Sequence, residues 1–488
     1  MNSHVQPEAG AKPGIKTGTQ FLASLRDGRE VWYKGKRLED VTAFPAFQGV
    51  LKTLARLYDK QNTPEFIDVM TYDTGEGYRA SKSYLLPTTR EKLIERRQNH
   101  EIWGADTFGQ MGRNPDFCGG ITIGLMEVRS DLAKLDPVFA TNIENYLKHC
   151  QRNDLCLTHG LHDPNMDKTL RPKQDPDRCV RIIRKTDEGY IVRGARYATL
   201  GPFANEILVY PSFMLADDED EFAIWFALPM NTKGIRTVCR DSYAAGRNEE
   251  DFPLSARFDE QDALVIFDDV LVPFDRVFLA GHAKEAVRIY RAGLMRWAGY
   301  GSAVHVMKRY DLFVGVGHLL AATGGTANRP RVQEELGELV TLAETHAQLF
   351  HAAEAAATQS KSGYWGPGGH MTNRVLAIMI SERMVSLIEH LGTGAMIFNN
   401  SSEDFEVEEL RPMLELYGRG HQTSARDRQR LVRLAFELTG DAFGSRQQMY
   451  ERLHSGDPYI WTANAWRTYD KSEGVETVNR LLGTHFKA

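Results

Sequence analysis

Two residues carry the side-chain types from which acid–base chemistry on a small molecule could be built. Arg113 is a permanent cation just ahead of the turn Asn114-Pro115-Asp116, within Met111-Gly-Arg-Asn-Pro-Asp-Phe117. His159, in Leu157-Thr-His-Gly-Leu-His-Asp-Pro164, exchanges a proton near neutral pH. A paired Arg and His can hold and deprotonate a weak acid such as a phenol. On spacing alone a loop ion pair and a structural histidine are the commoner outcomes, so the pairing must come from elsewhere in the chain.

Other chemistries fit the same stretches less well. Cys156, His159, His162 and Asp163 cluster, but no second Cys/His group with zinc-site spacing follows, and a single Glu451-Arg-Leu-His454 cannot make a di-iron bundle. No metal is expected. Gly315-Val-Gly317 lacks a third glycine and a preceding strand, so close helix packing is its reading, not a dinucleotide turn. Ala442-Phe-Gly-Ser-Arg446 is either a helix stop and restart or a turn whose amides and Arg446 hold a phosphate.

The elements that must position these residues follow from periodicity. With 488 residues, 42% hydrophobic and 25% charged, the chain should divide into two or three cores of an ordinary globular protein. A formal charge of -6 with scattered Lys and Arg argues against nucleic acid as a partner. Five irregularly spaced cysteines, no apolar leader and no membrane-length apolar run point to the cytoplasm. Residues 1–19 read as a flexible tail and 20–153 as helical, with Met111–Gly120 a loop broken by Pro115 and two glycines. Residues 154–282 carry short β-branched and aromatic runs separated by turn residues, which predicts a compact all-β domain. Residues 283–488 return to helical spacing and predict a bundle.

Six ordered motifs then become informative together: the two above, Val192-Arg-Gly-Ala-Arg-Tyr-Ala-Thr199, Pro253-Leu-Ser-Ala-Arg-Phe-Asp-Glu260, Val265-Ile-Phe-Asp-Asp-Val-Leu-Val-Pro273 and Ala442–Arg446. Over about residues 20–480 the chain resembles the oxygenase component of two-component 4-hydroxyphenylacetate 3-monooxygenases, a family that includes chlorophenol, nitrophenol and pyoverdine-type ring hydroxylases. The resemblance implies an α+β, acyl-CoA-dehydrogenase-like fold: helical domain, β-barrel, helical bundle ending in an oligomerisation tail, assembled as a homotetramer (a dimer of dimers). It implies FAD, delivered as diffusible FADH2 by a separate NAD(P)H-flavin reductase. Reaction with O2 then gives a C4a-hydroperoxide that hydroxylates a para-substituted phenol ortho to its hydroxyl. The phenolic substrate would meet Arg113, Asn114, Pro115, Asp116, Phe117, His159, Ser212 and Phe213, with Arg113 and His159 catalytic. The flavin would meet His159, Gly160, Leu161, Asn165, Met166, Asp167, Lys168, Thr199, Phe443, Gly444, Ser445 and Arg446.

Two departures bear on substrate. Phe117 stands where hydroxyphenylacetate hydroxylases carry tyrosine, and Thr199–Asn205 is one residue longer; a halophenol, a nitrophenol or a tyrosine-derived intermediate is the alternative substrate. Two relatives by fold make other predictions. A 4-hydroxybutyryl-CoA dehydratase needs an iron–sulfur cluster, for which no cysteine beyond Cys239 exists. An acyl-CoA dehydrogenase needs tightly bound FAD and a bundle glutamate.

Overall fold

A computed structural model describes residues 13–164, 167, 169–211, 215–454 and 458–487. The strands are β1 (Glu30–Tyr33), β2 (Lys36–Leu38), β3 (Thr71–Asp73), β4 (Arg79–Ser81), β5 (Leu157–Gly160) and β6 (Arg181–Lys185). There follow β7 (Gly189–Thr199), β8 (Glu206–Val209), β9 (Ile224–Pro229), β10 (Ile235–Cys239), β11 (Asp262–Pro273) and β12 (Val277–Ala280). Those from β6 to β12 fall on the β-branched and aromatic stretch read from the sequence. Four long helices, Ala283–Thr323, Pro330–Ala355, His370–Gly392 and Ala425–Thr439, form the bundle.

The barrel expectation is corrected. Among the described residues the strands make a six-stranded sheet, β2-β1-β10-β11-β7-β6, a four-stranded sheet, β12-β9-β8-β5, and two small pairs, β3-β4 and β13 (Thr358–Gln359) with β14 (Trp365–Gly366). The two larger sheets approach closure only through an isolated bridge between His162 and Tyr197. Closure fails because β7 already pairs with β11 along its length and with β6 over its first half. The stretch read as helical also contributes strand: β1 joins the larger sheet in parallel with β10, Val31 opposite Thr237. Residues 14–19, expected within a flexible tail, are anchored. Gly14 N donates to Arg152 O, Lys16 N donates to Asp154, and Thr17 caps a helix starting at Gly18.

The predicted loop at Met111–Gly120 is also corrected. Asn114 is the N-cap and Pro115 the first residue of a helix to Leu132, since proline's missing N–H costs nothing at that position. Gly119 and Gly124 permit intimate packing rather than breaking the helix. A Cβ on Gly119 would lie 2.5 Å from Ser83 O, and one on Gly124 would lie 2.9 Å from Leu294 Cα. Gly317 does the same in the bundle, where its Cβ would meet Leu339 at 2.6 Å.

Behind these helices, His346 is fully buried with neither ring nitrogen hydrogen-bonded, its ring edge-on to Tyr310 at 5.3 Å. Burial pushes its pKa down to about 4. An unfolded histidine takes its proton near pH 6.5, so the native state loses stability as pH falls from there toward 4. At pH 5 that loss is about 2 kcal/mol from this group. His346→Phe should therefore flatten the acid side of the stability profile, read from urea midpoints at pH 7 and pH 5. An unchanged slope removes His346 from the acid sensitivity.

Candidate active site

Arg113 sits in the link that enters the Pro115–Leu132 helix, and His159 in the middle of β5. The fold brings both against one aromatic ring. The Arg113 guanidinium carbon lies 4.0 Å from the Phe117 ring centre, and the His159 ring meets Phe117 edge-on at 5.6 Å. Tyr450, from the segment Tyr450–His454, closes the far side of Arg113 at 4.8 Å. All four side chains are buried. Arg113 Nε and His159 Nδ1 have no hydrogen-bond partner among the described residues. Buried groups of this kind are rare in a folded protein unless a ligand or water completes them.

The electrostatics assign protonation states. Burial, and then the Arg113 charge, hold His159 well below the ordinary histidine range, so its ring is neutral at physiological pH and can accept a proton. Burial brings Arg113 down to about 10, still charged at neutral pH. A fixed cation beside a neutral imidazole is an arrangement that can stabilise an oxyanion and accept a proton.

Two carboxylates hold the Arg113 link, and sequence reasoning found neither role. Glu260 accepts from Arg113 N at 3.0 Å and Gly112 N at 3.3 Å, and from Arg446 Nη1 at 2.9 Å. Asp116 Oδ2 lies 2.6 Å from His100 Nδ1 and 2.7 Å from His305 Nε2, and His305 Nδ1 is 3.1 Å from Met111 O. Burial opposes the Asp116 charge, yet the two histidines hold its carboxyl well below the usual range, and Asp116 in turn raises His305. Among the described residues this buried trio is the one group with metal-ligand types close together. Its N···O separations are those of hydrogen bonds, and it fastens the link from below. Asp116, expected to line the substrate site, is turned into this cluster. The sequence carried no signal for it, because its members come from three separate helices.

The remaining expected residues fall into one region. Thr158 Oγ1 donates to Thr199 O at 2.5 Å, which places His159, Gly160 and Leu161 beside the end of β7. The Thr199 hydroxyl donates to Asp262, and Arg446 binds the same carboxylate at 2.5 Å. Ala442–Met449 is a helix that restarts after Gly440 and runs through Gly444, so the motif is neither a stop around Gly444 nor an open turn. Arg446 spends its guanidinium on Glu260 and Asp262 rather than standing free for a phosphate. Asp167 is exposed. Asn114 and Pro115 lie buried at the helix start. Asn165, Met166, Lys168, Ser212 and Phe213 lie outside the described residues.

Known proteins share both the sequence and the fold. Residues 17–279 match the model of the 4-hydroxyphenylacetate 3-hydroxylase N-terminal region, and residues 288–483 that of its C-terminal region. The chain belongs to the 4-hydroxyphenylacetate 3-hydroxylase family. A relative in this family, the 4-hydroxyphenylacetate 3-monooxygenase oxygenase component of Thermus thermophilus, is 33% identical over 97% of this chain and 98% of its own. A crystal structure of an HpaB oxygenase component complexed with FAD and 4-hydroxyphenylacetate superposes with a TM-score of 0.91 at 33% identity, covering 96% of this chain and 98% of that one. An archaeal 4-hydroxybutyryl-CoA dehydratase from N. maritimus reaches a TM-score of 0.89 at 19% identity, over 97% and 96% of the two chains, and shares the fold. All five cysteines here are buried and unpaired, and none lies in the bundle.

The described residues expected to meet a flavin lie together: Thr158 joins β5, with His159 and Gly160, to Thr199, and Asp262 ties Thr199 to Arg446 of the Ala442–Met449 helix, which leaves one polar edge that a flavin could use.

Proposed function

We propose that this protein is the oxygenase component of a two-component flavin-dependent monooxygenase that hydroxylates a para-substituted phenol ortho to its hydroxyl. The observation that carries the reading is that Arg113 and His159, both buried and with Arg113 Nε and His159 Nδ1 unpaired, contact the same Phe117 ring. FAD, reduced by a separate NAD(P)H-dependent reductase and held by His159–Leu161, Asp167, Thr199 and Phe443–Arg446, supplies the activated oxygen from O2. The protein's own residues prepare the ring. Neutral His159 accepts the phenol's proton, and Arg113 stabilises the phenolate, which raises electron density at the ortho carbon. The aromatic and aliphatic packing around the site keeps water from the reacting oxygen.

Supplying FADH2 from any flavin reductase and screening para-substituted phenols for catechol formation tests the reading. Flavin oxidation with no catechol from any phenol in the panel would sink it. Phe117 leaves the site without the tyrosine hydroxyl of its hydroxyphenylacetate-specific relatives. Phe117→Tyr should therefore shift relative kcat/KM toward 4-hydroxyphenylacetate by about tenfold, the worth of one net hydrogen bond. An unchanged ranking across the panel would discard that link between Phe117 and substrate.

A homotetramer in a reducing cytoplasm completes the proposal. The helices Pro458–Thr468 and Ser472–Leu482 bury no residue in the single chain, yet present Tyr459, Trp466, Leu481 and Leu482 to solvent. Exposed apolar faces of that extent fit subunit contact. The five free thiols fit a reducing compartment, and no described helix is long and apolar enough to cross a membrane. Light scattering that returned a monomer at micromolar concentration would refute the assembly.

A further inference from the structure

The peptide Met111-Gly112-Arg113 has little slack. Glu260 accepts from the N–H groups of Gly112 and Arg113, and a Cβ on Gly112 would lie 2.4 Å from the Tyr450 ring. A third group of the link is also held, the Met111 carbonyl, and its partner is His305 of the Ala283–Thr323 helix. Met111 is fully buried and His305 is 4% exposed, so bulk water does not relieve a mismatch between them.

The protons on His305 can be counted from its partners. Nδ1 lies 3.1 Å from Met111 O, a carbonyl that can only accept, so Nδ1 carries a hydrogen. Nε2 lies 2.7 Å from Asp116 Oδ2, which also meets His100 Nδ1 at 2.6 Å. With its one hydrogen on Nδ1, a neutral ring would turn a bare lone pair on that carboxylate. A second proton therefore lies on the line between Nε2 and Oδ2. Burial opposes charge on both partners, yet His305 holds Asp116 well below the usual carboxyl range and Asp116 lifts His305 above the histidine range. The proton rests on the ring, and His305 is an imidazolium.

The other ionisable groups around the ring come from three segments. Glu260, which precedes β11, favours the imidazolium. His100 and Arg96 of the Arg90–Asp106 helix, and Lys308 and Arg309 one turn along the ring's own helix, work against a further positive charge. Burial keeps His100 below the ordinary histidine range and neutral, and Lys308 pairs with Asp311. The direct contact with Asp116 prevails.

We propose that His305 is a positioning residue for hydroxylation, and that its second proton is what fixes the Arg113 link. The imidazolium bridges Met111 O and Asp116 and so clamps the segment 111–116 at both ends. This rests on the reading of Arg113 as the cation of the phenol-hydroxyl site. Without the second proton one of the two acceptors faces a lone pair, the clamp opens, and the guanidinium loses its fixed place. Less of the NADH consumed then appears as catechol. The site is competent below the pH at which His305 gives up this proton and fails above it.

Neutron diffraction on deuterated crystals near neutral pH counts the protons directly. Deuterons on both Nδ1 and Nε2 of His305 are expected. A ring with a single deuteron, and none on Asp116, overturns the proposal. The functional arm follows catechol formed per NADH consumed across the range in which a raised histidine titrates. Wild type should lose coupling along a single-proton curve as pH rises. Asp116→Asn keeps an acceptor oxygen but removes the charge that holds the proton, so its curve should move to lower pH by about one to three units. His305→Asn, a neutral donor, should be poorly coupled at every pH and show no such curve. A curve that stays in place in both variants belongs to another group and overturns the proposal. So does a flat wild-type yield. If either variant fails to fold, the neutron count and the wild-type curve decide. Absence of hydroxylation with every phenol counts against the proposed reaction and leaves the clamp to the neutron count.

Discussion

Arg113→Ala is expected to lower phenol hydroxylation by a hundredfold to a thousandfold, about 3–4 kcal/mol of lost oxyanion stabilisation, while reduced flavin is still reoxidised. The oxygen then leaves as hydrogen peroxide, so the ratio of catechol formed to NADH consumed falls with the rate. His159→Ala should act in the same direction, by about 10²–10⁴, the usual worth of a positioned general base. The two losses should combine to much less than their product if the residues act on one hydroxyl. Arg113→Lys separates charge from shape. It keeps the cation but loses the flat stack between Phe117 and Tyr450, so it should recover part of the activity. Coupled hydroxylation surviving in both alanine variants would mean that the phenol is held elsewhere.

The second large effect is on the scaffold of the same site. Glu260→Ala should destabilise the protein by about 3–5 kcal/mol, the cost of breaking a buried ion pair by removing one partner. The carboxylate satisfies two backbone N–H groups of the link and one arm of Arg446, and alanine leaves all three without it. Glu260→Gln retains an acceptor and should cost less. Chemical denaturation measures both. If Glu260→Ala unfolds at the wild-type midpoint, the link is held by the Asp116 cluster alone. Even at temperatures where the alanine variant is folded, hydroxylation should be poorly coupled, since the loosened link no longer fixes the Arg113 guanidinium.

How much of this was legible in the sequence differs by element. The strands from β6 to β12 showed themselves because turn residues and β-branched runs alternate there, and the bundle because apolar residues recur at three and four. The entry of the Pro115–Leu132 helix was hidden because proline and glycine pass for breakers. The Asn-Pro pair that reads as a turn is also a cap followed by proline at the first helical position. The parallel strand β1 gave no local sign of its partner, because a pairing between Val31 and Thr237 is invisible to any window of sequence. The same holds at the site. Arg113 and His159 could be suspected singly, but their contact with one Phe117 ring depends on the joining of a helix start to the middle of a strand. Glu260, His100 and His305 act only through residues far off in the chain.

The pairing of β1 with β10 also bears on how the protein is made. On a ribosome β1 emerges roughly 200 residues before its partner, a delay of about 10–40 s at ordinary rates of synthesis. Through that interval β1 and β2 can form their hairpin, but the other edge of β1 stays open. The nascent chain therefore carries an unprotected strand edge until the larger sheet is nearly complete, the interval in which a chaperone has most to guard.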